Sequence, residues 1–260
     1  MHYDLSDQYH HRSSLIHHLD PRVKVVVTFF YILALSLTPE GAWWILGFFL
    51  LLLLSAVWLA DLALTFTLKR SFIVLPFVLA AVALPFTTPG PSLLEIPGLG
   101  WVVTEPGMIR FLSILARSWL AVQGAILLTA VTRFPDLLWA LGALRFPQPL
   151  VSTIGFMYRY LFVLADEALR MIRARAARSA QVPGRARPPI GWRGRVAGSM
   201  VGSLFLRSLA RSERVYAAML ARGYDGHMRS LIGFRMTNID WMVFILAFLL
   251  LIAPLILSLR

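Results

Sequence analysis

Five long apolar runs constrain this chain more than any other feature of its sequence. A membrane-spanning helix needs about 20 apolar residues, and about 17 is the lower limit. The runs predict an all-α integral membrane protein with about five transmembrane helices. The first and third runs are of marginal length, which favours either a tilted helix or support from neighbouring helices. The five runs are Val23–Thr38, Ala42–Ala60, Ser71–Phe86, Phe111–Val131 and Asp240–Leu257.

The overall composition agrees with a membrane protein. Hydrophobic residues make up 58% of the chain and charged residues 15%, whereas about a quarter of a soluble domain is charged. The first 22 residues are polar and lack the apolar stretch of a signal peptide, so we expect the mature helices to direct insertion. The absence of cysteine excludes disulfides and thiolate metal ligands.

The net charge of +12 lies in one part of the sequence. The stretch from Arg133 to Arg235 holds 17 arginines and five acidic residues, and the rest of the chain has equal numbers of basic and acidic residues. A soluble nucleic-acid-binding protein can be this basic. Apolar runs on both sides of the stretch make nucleic acid an unexpected partner and favour a basic region beside a lipid bilayer.

Basic residues also predict the orientation, because lysine and arginine concentrate in cytoplasmic loops. The segment Thr87–Gly107 has two glutamates and no basic residue, so we expect an irregular external loop there. The N-terminus and residues 133–238 are then cytoplasmic, in a multi-pass protein of a bacterial or archaeal cell membrane. The basic residues behind this prediction are Arg12, Arg22, Lys24, Lys69, Arg70 and Arg133.

Three regions follow from this orientation. Residues 1–132 form a membrane part with four spans, residues 133–238 a cytoplasmic region of coupling helices, and residues 239–260 a last transmembrane helix. A short amphipathic helix, Pro135–Leu144, opens the cytoplasmic region.

Two longer helices complete the cytoplasmic region. Apolar residues at spacings of three and four predict one helix over Pro149–Ala180 and another over Gly198–Arg222, joined by a Pro-, Gly- and Arg-rich linker, Val182–Arg195. Asp166 and Arg170 have the spacing of an ion pair on the first helix.

Each of the two long helices ends in a short string with arginine at its centre. The strings are Ala177-Arg178-Ser179 and Ala221-Arg222-Gly223. Arginine in a last turn complements the helix dipole and binds the final carbonyls. The alternative is that each arginine enters an acidic groove of a partner protein. Both interpretations remain open at this point.

Arg117 lies well inside the fourth apolar run. A charge at that depth costs a few kcal/mol unless it is paired or hydrated. An ion pair with Asp61 or Glu105 explains it structurally, and contact with a partner subunit explains it functionally. Histidines are frequent before residue 19, which suggests metal ligands or an amphipathic surface segment; without fixed spacing the second is favoured.

The sequence lacks the motifs of several classes of enzyme. The chain has no G-x-x-x-x-G-K-[ST], H-E-x-x-H or G-x-S-x-G string, and its spans contain few acidic residues. We therefore expect a non-catalytic protein that binds no cofactor itself. A stand-alone carrier or a membrane-embedded enzyme remains an alternative, and both need polar groups within the spans.

The order of several short strings resembles the transmembrane T component of energy-coupling factor (ECF) transporters, of the CbiQ type. Leu19-Asp20-Pro21-Arg22-Val23-Lys24 is similar to the family's string before the first span. Arg117 and Arg159 lie at positions similar to the family's arginines, and Ala221-Arg222-Gly223-Tyr224 is similar to its second Ala-Arg-Gly string. The first string departs from the pattern, because Ser179 replaces glycine.

The resemblance implies a function and a set of partners. The partners are two cytoplasmic ABC-type ATPase subunits, which bind ATP and Mg²⁺, and a CbiM-like substrate-binding membrane S component. Arg178 and Arg222 would dock into the ATPases, while Asp20, Pro21, Arg22, Arg117 and Arg159 would have inter-subunit or structural roles. Cobalt is the implied substrate; nickel, biotin or a module shared between substrates are the alternatives.

Overall fold

The computed structural model describes residues 14–62, 75–96, 101–178, 189–226 and 233–258. The chain divides into two compact units. We call the first, Ser6–Leu144 with Ile232–Arg260, the apolar unit, and the second, Met1–Leu5 with Arg145–Leu231, the arginine-rich unit. Helix Phe134–Ala143, which the sequence analysis groups with the cytoplasmic region, belongs to the apolar unit.

The apolar unit begins with a short helix α1 (Leu15–His18), followed by α2 (Pro21–Leu37) and α3 (Trp43–Leu59). Helix α2 starts two residues before the predicted run, which begins at Val23. Pro21 occupies its first turn, where a missing N–H has no consequence, and the Asp20 carboxylate accepts a hydrogen bond from the Arg22 N–H at 2.8 Å. This is the geometry of a helix N-cap.

The third apolar run does not form one continuous helix. The described residues give α4 (Leu75–Ala81) and α5 (Leu84–Thr87), with a break at Val82 and Ala83 just before Pro85. Proline lacks the N–H that would continue the hydrogen-bond ladder. The expectation of an unbroken span over Ser71–Phe86 is therefore wrong beyond residue 74, and residues 71–74 lie outside the described ranges.

The loop predicted to be irregular contains a β-hairpin. Strands β1 (Ser92–Ile96) and β2 (Trp101–Thr104) pair antiparallel, with an irregularity between Ser92 and Leu94. The frequent prolines and glycines of this segment signalled turns but gave no sign of the short strands between them.

Three further helices complete the apolar unit: α6 (Glu105–Val131), α7 (Phe134–Ala143) and α10 (Asn238–Ser258). Gly107 allows α6 to approach α5 closely. A Cβ at this position would lie 2.8 Å from the Leu84 carbonyl oxygen and 2.9 Å from the Pro85 Cα. Helix α6 starts six residues before the predicted run. Within the described ranges, it is the one helix that is both long enough and apolar enough to cross a membrane.

The core of the apolar unit lies among α2, α3 and α6. Phe49 and Ile45 of α3 are fully buried, and the Tyr31 ring meets Phe49 edge-on at 5.7 Å. Many large apolar side chains on the same helices remain exposed, including Phe29, Leu51 and Trp58. An apolar outer surface around a small packed core is the pattern expected of helices that face lipid.

The arginine-rich unit contains two long helices, α8 (Gln148–Arg178) and α9 (Ile190–Ala221). Each has more than 30 residues and is therefore about 45 Å long. Helix α9 begins directly after Pro189, so the prediction that the linker extends to Arg195 is wrong. The six residues from Ile190 to Arg195 are helical because Pro189 is compatible with a helix start and no proline follows it.

The predicted topology gives a direct experiment at Ser92. The native chain has no cysteine, so a Ser92→Cys variant carries a single thiol on the predicted external hairpin. We expect a membrane-impermeant maleimide to label intact cells expressing this variant. Ser199→Cys, in the region predicted to be cytoplasmic, is the control and should react only after lysis. The reverse pattern would invert the topology.

Candidate functional sites

The first candidate site is the end of α8. Ala177 and Arg178 are exposed in its last turn, and Ser179 lies outside the described residues. Near this end, α8 and α9 enclose a groove of about 740 Å³ within the arginine-rich unit. Four arginines and one glutamate line it: Arg170, Arg175, Arg178, Arg207 and Glu167. The groove therefore has an excess of positive charge.

Glu167 braces the two helices beside this groove. Its carboxylate is 3.0 Å from the Arg170 Nη2 on the same helix and accepts a hydrogen bond of 2.8 Å from the Arg207 Nη1 on α9. The predicted pair between Asp166 and Arg170 is wrong, because Asp166 is exposed and the i,i+3 neighbour Glu167 takes Arg170 instead. One ion pair, between Glu167 and Arg207, therefore joins α8 to α9, and Arg170 shares the same carboxylate from within α8.

The second candidate site is the end of α9, which has a Schellman motif. The Tyr224 N–H donates to the Met219 carbonyl and the Gly223 N–H to the Leu220 carbonyl, both at 3.0 Å. Gly223 has a φ of +81°, a conformation that glycine adopts without strain. Gly223 therefore ends the helix within one residue of the predicted end at Arg222, and it places Arg222 at the exposed C-cap.

The two terminal arginines have no internal task that the structure identifies. Backbone N–H groups close the end of α9, so Arg222 is not needed to satisfy carbonyls there. In the described part of the chain, neither Arg178 nor Arg222 takes part in an ion pair. Both guanidinium groups are therefore available to an acidic surface.

A third site is a polar cluster where α2 and α10 begin. The Asp240 Oδ1 accepts a hydrogen bond from the Asp20 N–H at 2.9 Å, and its Oδ2 accepts from the Thr237 N–H and hydroxyl at 2.8 and 2.7 Å. Asp20 and Asp240 are both buried. Asp240 thus joins the N-termini of two helices that are 220 residues apart.

Lys24 adds the end of α6 to this cluster. Its ammonium donates to the His17 carbonyl at 3.0 Å and to the Val131 carbonyl at 3.2 Å. Val131 is the last residue of α6, whose final carbonyls have no partner within the helix. One buried cation therefore holds together the beginning of α2 and the end of α6.

Arg22 lies over an aromatic pair at the same end of the unit. Its guanidinium carbon is 4.4 Å from the centre of the Trp139 ring, and that ring lies 4.9 Å from the Phe234 ring. A cation above an indole face contributes about 0.5–2 kcal/mol. The string Asp20-Pro21-Arg22-Val23-Lys24 is thus a structural junction, and sequence analysis missed its partners Asp240, Thr237 and Trp139.

Arg117 and Arg159 are placed differently. Arg159 is exposed on α8, beside Tyr158, whose ring meets Phe162 edge-on at 5.2 Å. The Arg117 Nε and Nη2 atoms are buried and donate no hydrogen bond within the described residues, so neither Asp61 nor Glu105 pairs with them. Buried N–H donors without an acceptor are unfavourable, and an acceptor from another subunit would remove the penalty.

This geometry gives an expected result for Arg117→Leu. Since two buried nitrogens of the side chain have no partner in the described ranges, its loss should leave the thermal stability of the isolated chain unchanged or slightly raised. Transport by the assembled complex should fall at least about tenfold, which corresponds to about 1.4 kcal/mol of lost contact. Arg195→Leu, at an exposed position of α9, is the control. Normal transport by Arg117→Leu would contradict a partner contact.

The described residues contain no group of three or more histidine and acidic side chains that could hold a metal ion. Of the N-terminal histidines, His17 and His18 are described, and the His17 Nδ1 is 2.6 Å from the Ser14 hydroxyl. The other three lie outside the described residues.

Comparisons with known proteins cover most of the chain. A family model described as "Cobalt transport protein", CbiQ, matches residues 12–232. The cobalt transport protein CbiQ of Rhodobacter capsulatus is 29% identical over 68% of this chain and 72% of its own length. An energy-coupling factor transporter transmembrane protein, EcfT, of Lacticaseibacillus paracasei is 26% identical over 82% of each chain.

A nickel permease, LarQ, of Lactiplantibacillus plantarum is 34% identical over 37% of this chain and 33% of its own.

The family model matches most of the chain, and the structure has apolar helices and two helices that end in arginine. The resemblance found in the sequence is therefore membership of the family. The chain belongs to the CbiQ family, the transmembrane T components of ECF transporters, and is an integral membrane protein built mainly of α-helices.

Proposed function

We propose that this chain is the coupling subunit of an ATP-driven uptake transporter for cobalt ions. In this proposal it transmits the movement of two cytoplasmic ATPases, which bind ATP and Mg²⁺, to a membrane S component that binds the substrate. The observation that carries the proposal is the pair of exposed arginines, Arg178 and Arg222, at the ends of two long braced helices.

The charge near these ends supports an acidic partner. The groove beside Arg178 has four arginines and one acidic residue, and Glu167 already pairs with two of them. Guanidinium groups bind carboxylates through two parallel hydrogen bonds. An ATPase surface with exposed carboxylates would therefore find several donors at the end of α8.

The outer surface of α9 supports a second, apolar contact. Its packed side follows half-buried residues at spacings of three and four, whereas several large apolar side chains elsewhere on the helix are more than half exposed. An apolar face of this kind suits a partner that is itself a membrane protein. The side chains more than half exposed include Val201, Phe205, Leu206 and Tyr216.

Rigid helices explain how such contacts transmit movement. A helix about 45 Å long with a charge brace near its middle moves as one body. In this proposal each ATPase holds the arginine at the tip of one helix. When the two ATPases change their separation, each helix moves with its arginine, and the surface that contacts the S component moves with the helix. The chain's contribution is then mechanical, and catalysis stays with the ATPases.

Nickel is the second candidate substrate, because one relative that matches part of the chain is named a nickel permease. Uptake by cells that express the full complex separates the candidates. We expect accumulation of radioactive cobalt that excess unlabelled cobalt abolishes and that an equal excess of nickel or biotin reduces far less. If excess nickel abolished the cobalt accumulation as fully as excess cobalt does, the assignment of cobalt as the specific substrate would be wrong. Cobalt uptake by this chain alone would indicate a stand-alone carrier.

A further inference from the structure

The apolar unit contains a cleft that its described helices line but do not fill. It has a volume of about 480 Å³ and lies among α1, α2, α3, α6 and α10. Apart from Lys24, its described lining is almost entirely apolar, with Val27, Leu53, Leu127 and Ala247 among its walls. The cleft meets the third candidate site at Lys24 and Val131 and otherwise has a lining of its own.

The cleft is open to the outer surface of the helices. Three lining side chains of α10, Ile239, Met242 and Leu246, are each more than half exposed. In a membrane protein that surface meets lipid. An apolar space continuous with lipid is filled by hydrocarbon rather than water, because water needs polar partners.

The dimensions of the cleft match one leaflet of a bilayer. Along α10 it extends from Ile239 to Leu251, a rise of about 18 Å, and half of a hydrocarbon core is about 15 Å thick. The space suits a single flexible chain.

The charged group of the described lining lies at one end of the cleft. Lys24, Val131 and Ile239 line the end formed by the start of α2, the end of α6 and the start of α10. The Lys24 ammonium has three N–H donors, and carbonyl oxygens of His17 and Val131 occupy two of them. The third can donate to an oxygen at the head of a lipid.

We propose that this cleft is a binding site for one acyl chain of a membrane phospholipid, whose ester or phosphate oxygen accepts a hydrogen bond from Lys24. The lipid belongs to the leaflet at the Lys24 end, which the charge distribution predicts to be cytoplasmic. Its acyl chain fills the space between α2 and α10 and completes their packing.

Photolabelling of the full chain in nanodiscs tests the proposal. The probe is a phosphatidylcholine with a diazirine on one acyl chain, and the labelled residues are mapped by mass spectrometry. We expect the cleft residues Val27, Leu127 and Ala247 to be labelled more strongly than Phe29 and Ile245, which are exposed but do not line the cleft.

Matched variants on α10 separate the cleft from bulk lipid. Ala247→Trp fills the space and should lower labelling of Val27 and Leu127 about tenfold, the loss expected when about 1.4 kcal/mol of binding is removed. Ile245→Trp adds the same side chain two residues away and should leave that labelling unchanged. Thr28→Leu, a smaller filling change, serves if Ala247→Trp does not fold.

Three results would overturn the proposal. The first is equal labelling of cleft and exposed residues. The second is labelling of the cleft that both filling variants leave intact. The third is a photoreactive residue at position 247 that, in native membranes containing the whole transporter, couples to a partner polypeptide instead of to lipid.

Discussion

Reversing the charge at either helix tip should uncouple the transporter while leaving the protein in the membrane. We expect Arg178→Glu and Arg222→Glu each to weaken ATPase docking about 30-fold or more, since breaking a desolvated charge pair removes about 2–5 kcal/mol. The measurement is co-purification of the ATPases, together with substrate uptake and ATP hydrolysis. The double variant should bind the ATPases more weakly than either single variant.

The alternative role of these arginines predicts a much smaller effect. If they only complement the helix dipoles, substitution changes local helix stability by about 0.3–1 kcal/mol and leaves the partner bound. The Schellman motif at Gly223 depends on backbone groups, so Arg222→Glu should keep the helix end intact.

Two further variants sharpen this test. Arg222→Lys should be intermediate, because lysine keeps the charge but loses the planar fork of donors. Arg173→Glu, an exposed position on α8 about one turn before the tip, is the matched control and should leave docking nearly unchanged. If both glutamate variants at the tips assemble and transport normally, the docking role proposed for Arg178 and Arg222 is wrong.

The second large effect is expected from Lys24→Met. The change leaves the His17 and Val131 carbonyls without their donor and leaves nearby buried carboxylates without a counter-charge. Removing one partner of a buried charged cluster typically destabilises a protein by about 3–5 kcal/mol. We therefore expect the midpoint of thermal unfolding of the purified protein in detergent to fall by roughly 10 °C.

A surface ion pair provides the control for this prediction. Arg110 and Glu40 are 2.8 Å apart, and both side chains are about half exposed. Pairs of this kind contribute about 0–1 kcal/mol, so Arg110→Met should barely move the midpoint. If Lys24→Met lowered the unfolding midpoint as little as Arg110→Met, Lys24 would not hold α2 to α6 as its contacts indicate.

Local signals in the sequence determined most of the helices and their ends. The string Ala221-Arg222-Gly223 predicted the end of α9, because capping depends on residues within a few positions of each other. The apolar runs and the single block of arginine likewise gave the fold class and the two exposed tips. These features require no knowledge of how the helices pack.

The tertiary structure alone decided which distant groups meet. Asp240 accepts from Asp20 across 220 residues, Lys24 reaches Val131 across 107, and Glu167 rather than Asp166 faces Arg207. Helical periodicity fixes which residues share a face but not which helix that face meets, or at what depth. Those choices depend on the packing of side chains between helices, and the same packing leaves the cleft beside Lys24 open.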